Sequence, residues 1–223
     1  MDSTIALGIK EEKEFTLKNW HLYLFVTILY LIVALVNDKF IMTRDVYQQL
    51  FSDKMEGYRI DDYYQLIKKF TFYAYLIIPV VTWLKITFIA LLLQTPLMLK
   101  NIEVSFKETF RIAAIANLPL ILRGVVKFTI LIFTPRVEYT NDLLSSIPGS
   151  ITNFISKANY SQVSYNFLSN INIYEAMWVF IVFAGLLRLK KLDKSDAFTL
   201  SFGVWLGITL LMTGINIYFT KAV

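Results

Sequence analysis

The chain has 223 residues, of which 56% are hydrophobic and 16% aromatic, and its net charge at pH 7 is +5. Its mean hydropathy of +0.54, concentrated in long apolar runs, excludes an ordinary soluble domain, whose helices need a polar face. The chain contains no cysteine, which excludes disulfides, thiolate metal sites and cysteine nucleophiles. We therefore expect an all-α polytopic membrane protein, with residues 1–223 forming a single membrane helical bundle.

Residues 1–19 carry mixed charge and are expected to form a cytoplasmic tail. The apolar run that follows is free of charge and lacks a small-residue cleavage site, so it is predicted to be a retained helix rather than a signal peptide. A helix crosses the bilayer core with about 20 apolar residues. By this measure the sequence predicts five transmembrane helices, at about 20–36, 70–99, 112–133, 171–189 and 197–220.

The connection 37–69 is expected to hold short amphipathic helices that lie at the membrane interface. Its apolar residues recur at helical intervals in two groups, with Gly57 between them. The first group is Val46, Leu50 and Phe51, and the second is Tyr63, Tyr64, Leu66 and Ile67.

Two predicted spans carry charges in their interior: Lys85 in the second, and Arg123 and Lys127 in the third. Adjacent antiparallel helices would bring Lys85 and Arg123 to a similar depth. A cation at the membrane centre costs roughly 2.5 to 3.5 kcal/mol on insertion scales, so it usually faces a partner or water. Glu108 and Glu175 lie near the ends of their segments, so the sequence predicts no carboxylate partner for these cations.

Two hypotheses account for the interior cations. In the first, Lys85 and Arg123 line a polar cavity that binds an anion or a lipid headgroup, with further donors from Lys127, Asn117 and Gln94. In the second, the long side chains extend toward the membrane surface or bind carbonyls freed by Pro79 and Pro119. A third proline, Pro96, is expected to help terminate the second span.

The connection 136–172 is rich in serine and asparagine, yet some of its apolar residues recur at helical spacing. We expect it to be partly helical and membrane-associated, with a turn at Pro148 and Gly149. The apolar residues are Leu143, Leu144, Ile147, Ile151, Phe154 and Ile155.

The distribution of Lys and Arg predicts the orientation of the chain, because these residues favour cytoplasmic loops. The connections 100–111 and 188–194 are basic, whereas 136–172 contains only Arg136 and Lys157. The amino terminus is therefore expected inside and the carboxy terminus outside. The connection 37–69 departs from the rule, since it places six Lys and Arg residues on the predicted outer side. Because much of the net positive charge lies beside membrane segments, we expect membrane lipids rather than nucleic acid as partners.

The last span contains Gly203 and Gly207, whose G-x-x-x-G spacing permits close approach of helices within one chain or between two. The only histidine, His21, lies beside Trp20 at the predicted inner interface, where an anchoring role is expected. We predict no catalytic, cofactor-binding or metal-binding residues.

The carboxy-terminal half carries a family resemblance. It includes the lead-in Asn172, Ile173 and Tyr174, and then Trp178, Gly185, Lys194, Ser195, Ala197 and Trp205; in addition, FKETFRIAAIANLPLILRGVV carries a central Pro119. With these features, residues 106–211 resemble the Yip family of five-span membrane proteins that interact with Rab-type GTPases.

The resemblance implies a five-helix bundle without known catalytic residues. Eukaryotic members act in vesicle traffic through small GTPases and have a long cytosolic amino-terminal region, which this chain lacks. A small GTPase partner is therefore not expected. The short tail and the Lys, Asn and Ile usage are typical of a bacterial relative, located in the cytoplasmic membrane.

The leading functional hypothesis is a non-enzymatic, Yip-like membrane protein that associates with lipids or other membrane proteins. Its expected cytoplasmic partner surface includes Arg188, Lys190, Lys191 and Lys194. The alternative is a small permease or transporter accessory subunit that uses the cations of the second and third spans to attract an anion.

Overall fold

The computed structural model describes residues 18–221, apart from the side chains of 217 and 219–221; most of the predicted tail, 1–17, lies outside the described residues. Within that range the regular elements are all helical. The α-helices are α1 Asn19–Val36, α2 Arg44–Phe51, α3 Gly57–Leu99, α4 Phe106–Ala116, α5 Leu118–Phe133, α6 Asn141–Ser145, α7 Gln162–Ser169, α8 Ile173–Arg188 and α9 Lys194–Lys221. A π-helical turn, Asn37–Ile41, continues α1, and short 3-10 turns occupy Arg136–Glu138, Ile151–Phe154 and Lys157–Asn159.

Four helical stretches are long and apolar enough to cross a membrane: Asn19–Ile41, Gly57–Leu99, Phe106–Phe133 and Lys194–Asn216. They confirm that the chain is an all-α membrane protein. The predicted fourth span corresponds to α8, which has only 16 residues. At 1.5 Å per residue α8 is about 24 Å long, shorter than the roughly 30 Å hydrocarbon core.

The start of α3 differs from the prediction. The second amphipathic group, from Tyr63 to Ile67, was expected to form a separate interfacial helix, but it belongs to the first turns of the continuous helix α3. Ion pairs of Arg44 with Asp61 and of Asp38 with Lys68 hold these turns against α2 and the end of α1. These partners lie far away in sequence, so the local pattern could not indicate them.

The third predicted span is divided into α4 and α5 at Asn117. The helix begins earlier than predicted because Ser105 and Glu108 form a reciprocal capping box at Phe106. Pro119 lies in the first turn of α5. Backbone N–H groups there have no acceptor within the helix, so proline removes no hydrogen bond. Pro96 lies within α3, which ends three residues later at Leu99.

The main core lies where α8 packs against α4, α5 and α9, and where α3 packs against α1, α4 and α9. Gly185 allows a close contact between α8 and α4, since a Cβ there would lie 2.8 Å from Cγ1 of Ile112. In contrast, large apolar side chains are exposed along the outer faces of the bundle, for example Phe72 and Leu210. In a membrane protein such faces contact lipid.

A smaller hydrophobic cluster lies at the end of the bundle where α1 and α5 finish, and it joins the connections that follow these two helices. Ile41, Val46, Leu131 and Tyr139 are buried there, so α2 packs on the end of α5. The turn expected at Pro148 and Gly149 is present, and Gly149 adopts φ 71°. A single β-bridge from Ser150 to Asn172 then fixes the connection against the start of α8.

The connections α3–α4 and α8–α9 lie side by side at one end of the bundle. Lys100 forms an ion pair with Asp196, and Lys191 donates a hydrogen bond to the carbonyl of Glu103. Asn19, at the start of α1, donates to the carbonyl of Lys107 at 2.7 Å and so lies at the same end. We call this end, formed by residue 19, the connection 100–105 and residues 188–194, the basic end.

Candidate functional site

A chain of hydrogen bonds connects Lys85 to the break between α4 and α5. The Lys85 Nζ donates to the Tyr30 hydroxyl at 3.1 Å and lies 5.4 Å from the centre of its ring. The same hydroxyl donates to Oδ1 of Asn117 at 3.2 Å, and Nδ2 of Asn117 donates to the Ala113 carbonyl at 2.8 Å. Asn117 is fully buried. Lys85 is therefore bound by a polar chain that joins α1, α3 and α4.

Arg123 has a carboxylate partner that the sequence did not predict. Its Nη1 lies 3.7 Å from Oε1 of Glu175, whose side chain is 17% exposed. The Lys85 ammonium also attracts this carboxylate electrostatically. The expectation that Glu175 lies too near a helix end to neutralise the interior cations is therefore wrong.

The first turn of α8 explains the position of Glu175. Asn172 caps this helix, and its Oδ1 accepts hydrogen bonds from the backbone N–H groups of Tyr174 and Glu175. The capped turn faces α5 because Trp178, one turn further along α8, is buried in the main core. Because α8 has only 16 residues, its first turn lies beside Arg123, near the middle of the combined stretch α4–α5, rather than at the end of that stretch.

Trp205 on α9 completes this arrangement. Its indole Nε1 is buried and directs its N–H toward the Glu175 carboxylate, although no hydrogen bond of ordinary geometry forms there among the described residues. We call Tyr30, Lys85, Asn117, Arg123, Glu175 and Trp205 the polar cluster. Helical rise places Tyr30, Lys85, Glu175 and Trp205 about 17 to 21 Å from the basic end.

The charge of this region is unbalanced. Lys127 lies one turn beyond Arg123, acts on it electrostatically, and donates a hydrogen bond to the carbonyl of Leu144 in α6. Lys85 and Arg123 thus face a single carboxylate, Glu175, and Lys127 adds a third cation near Arg123. An excess of positive charge in a low-dielectric interior favours an anion.

The predicted donors separate into different surroundings. Asn117 joins Lys85 through Tyr30, whereas Gln94 lies elsewhere and donates to the Val104 carbonyl at 3.3 Å. Neither Lys85 nor Arg123 binds a carbonyl freed by proline. Tyr30, Glu175 and Trp205 were not among the predicted site residues. A tyrosine in the charge-free first span and a tryptophan in the middle of the last were the available signals.

The predicted partner surface lies at the basic end. Arg188, Lys190 and Lys194 are exposed and have no acidic partner among the described residues. Lys191 differs because its ammonium is bound to the Glu103 carbonyl. Lys190 adopts φ 54° just after the end of α8, where a left-handed residue commonly terminates a helix. The turn thereby presents three exposed cations on a fixed loop.

An open groove of about 600 Å³ runs between α3 and α9 from the basic end. Lys100 and Asp196 lie at its mouth, and apolar side chains line most of its length, from Phe88 on α3 to Leu211 on α9. Gly203 and Gly207 also line it, and a Cβ at either glycine would meet no atom within 4 Å. In the single chain, the G-x-x-x-G pair therefore does not bring α9 against another helix.

The described residues contain no group of three or more His, Asp or Glu side chains able to hold a metal ion. No family model, curated protein or solved structure matches this chain.

Proposed function

We propose that the chain is a non-enzymatic, Yip-like integral membrane protein that acts by associating with lipids and other membrane proteins. The observation that carries the proposal is the basic end, where Arg188, Lys190 and Lys194 are exposed without acidic partners among the described residues. Unpaired cations beside a membrane attract anionic headgroups and acidic protein surfaces. The family assignment rests on the resemblance of residues 106–211.

The proposal includes five crossings, of which α8 is the shortest. Lys100 pairs with Asp196, so α9 begins at the end of the bundle where α3 finishes and α4 starts. The helices α4 and α5 lead away from that end, and the chain has to return to it before α9. Among the described residues between Phe133 and Lys194, α8 alone is long enough to make the return. Local bilayer thinning accommodates a short apolar helix at modest cost.

The proposed location is a bacterial cytoplasmic membrane, with the basic end and the amino terminus inside and the carboxy terminus outside. Lys and Arg concentrate at the basic end, as they do in cytoplasmic loops. A cytoplasmic basic end would face anionic lipids and the acidic surfaces of other proteins.

Crosslinking in native membranes, followed by mass spectrometry of the recovered chain, tests the partner surface. Replacing Arg188, Lys190 and Lys194 with Gln is expected to reduce recovery of crosslinked partners at least fivefold. The matched control replaces Lys39, Lys54 and Arg59, three exposed cations at the other end of the bundle. Equal recovery from both triple variants would contradict the proposal.

A transport component is the second candidate, and the excess of cations in the polar cluster favours it. If it transports an anion, Lys85→Met or Arg123→Met will abolish uptake of labelled phosphate or chloride into vesicles while the protein stays folded. Lys69→Met, at an exposed position on the same helix as Lys85, serves as the control. Uptake that persists in both cluster variants would exclude this candidate.

A further inference from the structure

We propose that the groove between α3 and α9 is a binding site for one phospholipid, whose acyl chain lies along Gly203 and Gly207 and whose phosphate binds Lys100. The inference rests on the proposed association with membrane components, and it names the chemistry of one of them.

The shape of the groove fits an acyl chain. Its volume of about 600 Å³ lies within the range of small-molecule sites, roughly 300 to 1,000 Å³. The two glycines provide a floor without side chains, where a Cβ would meet no atom within 4 Å. Leu92 and Val204 supply apolar walls on the two helices. A flexible hydrocarbon chain can fill such a trough without displacing any part of the protein.

The length of the groove favours a lipid over a partner helix as its ligand. It extends from Lys100 to Phe88 on α3 and from Asp196 to Leu211 on α9. At 1.5 Å per residue these distances are about 18 and 22 Å. One leaflet with its headgroup region is about 20 to 22 Å thick, whereas a transmembrane helix needs about 30 Å of hydrocarbon. The groove therefore matches one leaflet rather than the whole bilayer.

The charges of the groove lie at its mouth, as a phospholipid requires. Lys100 and Asp196 pair there, but their side chains are 55% and 39% exposed. Exposed ion pairs contribute little to stability, so Lys100 can turn toward a phosphate at small cost. Asp196 is then free to accept hydrogen bonds from an ammonium group on the same headgroup. Beyond the mouth the lining is apolar except for Thr199, so the acyl chain of the lipid would contact apolar side chains there.

Lipid retention by the purified full-length chain tests the site. The protein is extracted in mild detergent, and bound phospholipid is counted by native mass spectrometry and by lipid extraction. We expect one phospholipid per chain in the wild type, and at least tenfold less in Gly203→Leu and Gly207→Leu, whose side chains fill the groove. Gly214→Leu is the matched control, because Gly214 is also open to its surroundings but does not line the groove.

Add-back with single lipids tests the headgroup contact. Delipidated protein is titrated with phosphatidylethanolamine or phosphatidylglycerol. Lys100→Met should lower the affinity for both lipids at least fivefold, and Lys190→Met should leave it unchanged.

Equal lipid retention by the groove variants and by Gly214→Leu would overturn the inference. So would a crosslink between two copies that Gly203→Leu abolishes while retained lipid stays unchanged, since the groove would then be a helix interface. If these results refute the lipid site while partner capture by the basic end is still observed, the proposed function stands and only the inference fails.

Discussion

At the scale of single residues, Glu175 is the carboxylate that faces the interior cations of the bundle. Arg123, Lys85 and the indole N–H of Trp205 surround it. Removing one member of a buried pair leaves the other charge uncompensated in low dielectric, which costs more than the pair itself contributes.

The first prediction concerns that carboxylate. Glu175→Gln should lower the free energy of unfolding by about 2 to 3 kcal/mol, near the lower end for buried pairs because Arg123 keeps some exposure. Unfolding in mixed micelles, followed by tryptophan fluorescence, measures the change. Glu103→Gln, at an exposed carboxylate, should have little effect, and the double variant Arg123→Gln/Glu175→Gln should recover part of the loss. A single variant as stable as the Glu103 control would contradict the role assigned to Glu175.

Gly185 gives a second prediction at this scale, based on packing. A Cβ at this position would lie 2.8 Å from Cγ1 and 2.9 Å from Cγ2 of Ile112, so α8 or the Ile112 side chain has to move. Gly185→Ala is expected to destabilise the protein by about 1 to 3 kcal/mol through overpacking. Thermal unfolding in detergent measures it. Gly203→Ala, whose new methyl group meets open space, should be neutral or slightly stabilising. Equal melting temperatures of Gly185→Ala and Gly203→Ala would refute the close contact between Gly185 and Ile112.

At the scale of elements, helix ends decide where polar side chains are held. The Ser105 and Glu108 capping box starts α4, and the Asn172 cap starts α8. Asn117 lies at the break between α4 and α5, and its side-chain Oδ1 accepts a hydrogen bond from the Tyr30 hydroxyl. These short features set the relative rotation of α4, α5 and α8, and they bring the polar cluster together.

The capping box gives a prediction for α4. Ser105→Ala removes the acceptor for the Glu108 N–H and should cost about 1 kcal/mol. Hydrogen exchange of the first turn of α4, measured together with thermal unfolding, reports both the local and the global effect. Thr43→Ala is the control, because Thr43 precedes α2 without a side-chain capping bond and its buried hydroxyl lacks a partner in the described chain. A larger loss for Thr43→Ala than for Ser105→Ala would contradict this account.

At the scale of the whole molecule, the fold depends on the return of the chain to the basic end through α8. The helix has only 16 residues, but Trp178, Val182 and Leu186 lie in the main core, while Phe180 is exposed on its outer face. This combination is typical of a helix packed inside a bundle and bounded by lipid. The sidedness of the connections before and after α8 is thus the decisive property of the architecture.

Single cysteines can measure that sidedness, because the natural chain has none. In intact cells, a membrane-impermeant maleimide should label Ala158→Cys, in the connection before α8. Lys194→Cys, after α8, should react only once the membrane is permeabilised. Lys54→Cys is expected to behave like Ala158→Cys. Labelling of positions 158 and 194 from the same side would mean that α8 does not cross the bilayer.

The sequence by itself determined the class of the protein, since burial of long apolar runs in lipid is a local and additive property. The helices α1, α3 and α9 and the combined stretch α4–α5 follow from it. The turn at Pro148 and Gly149 follows separately, from the local turn preference of these two residues. The start of α3 could not be predicted, because its charged first turns depend on Arg44 and Asp38 across a connection.

Only the tertiary structure decided which polar groups meet. Tyr30, Asn117, Glu175 and Trp205 belong to separate helices, and no spacing along the chain relates them. Their contacts depend on how far each helix is rotated and on where α8 begins relative to the bilayer. Likewise, the G-x-x-x-G pattern is compatible with a contact within one chain and with a contact between chains. The open space beside Gly203 and Gly207 depends on the separation of α3 and α9, which no spacing along the chain reveals.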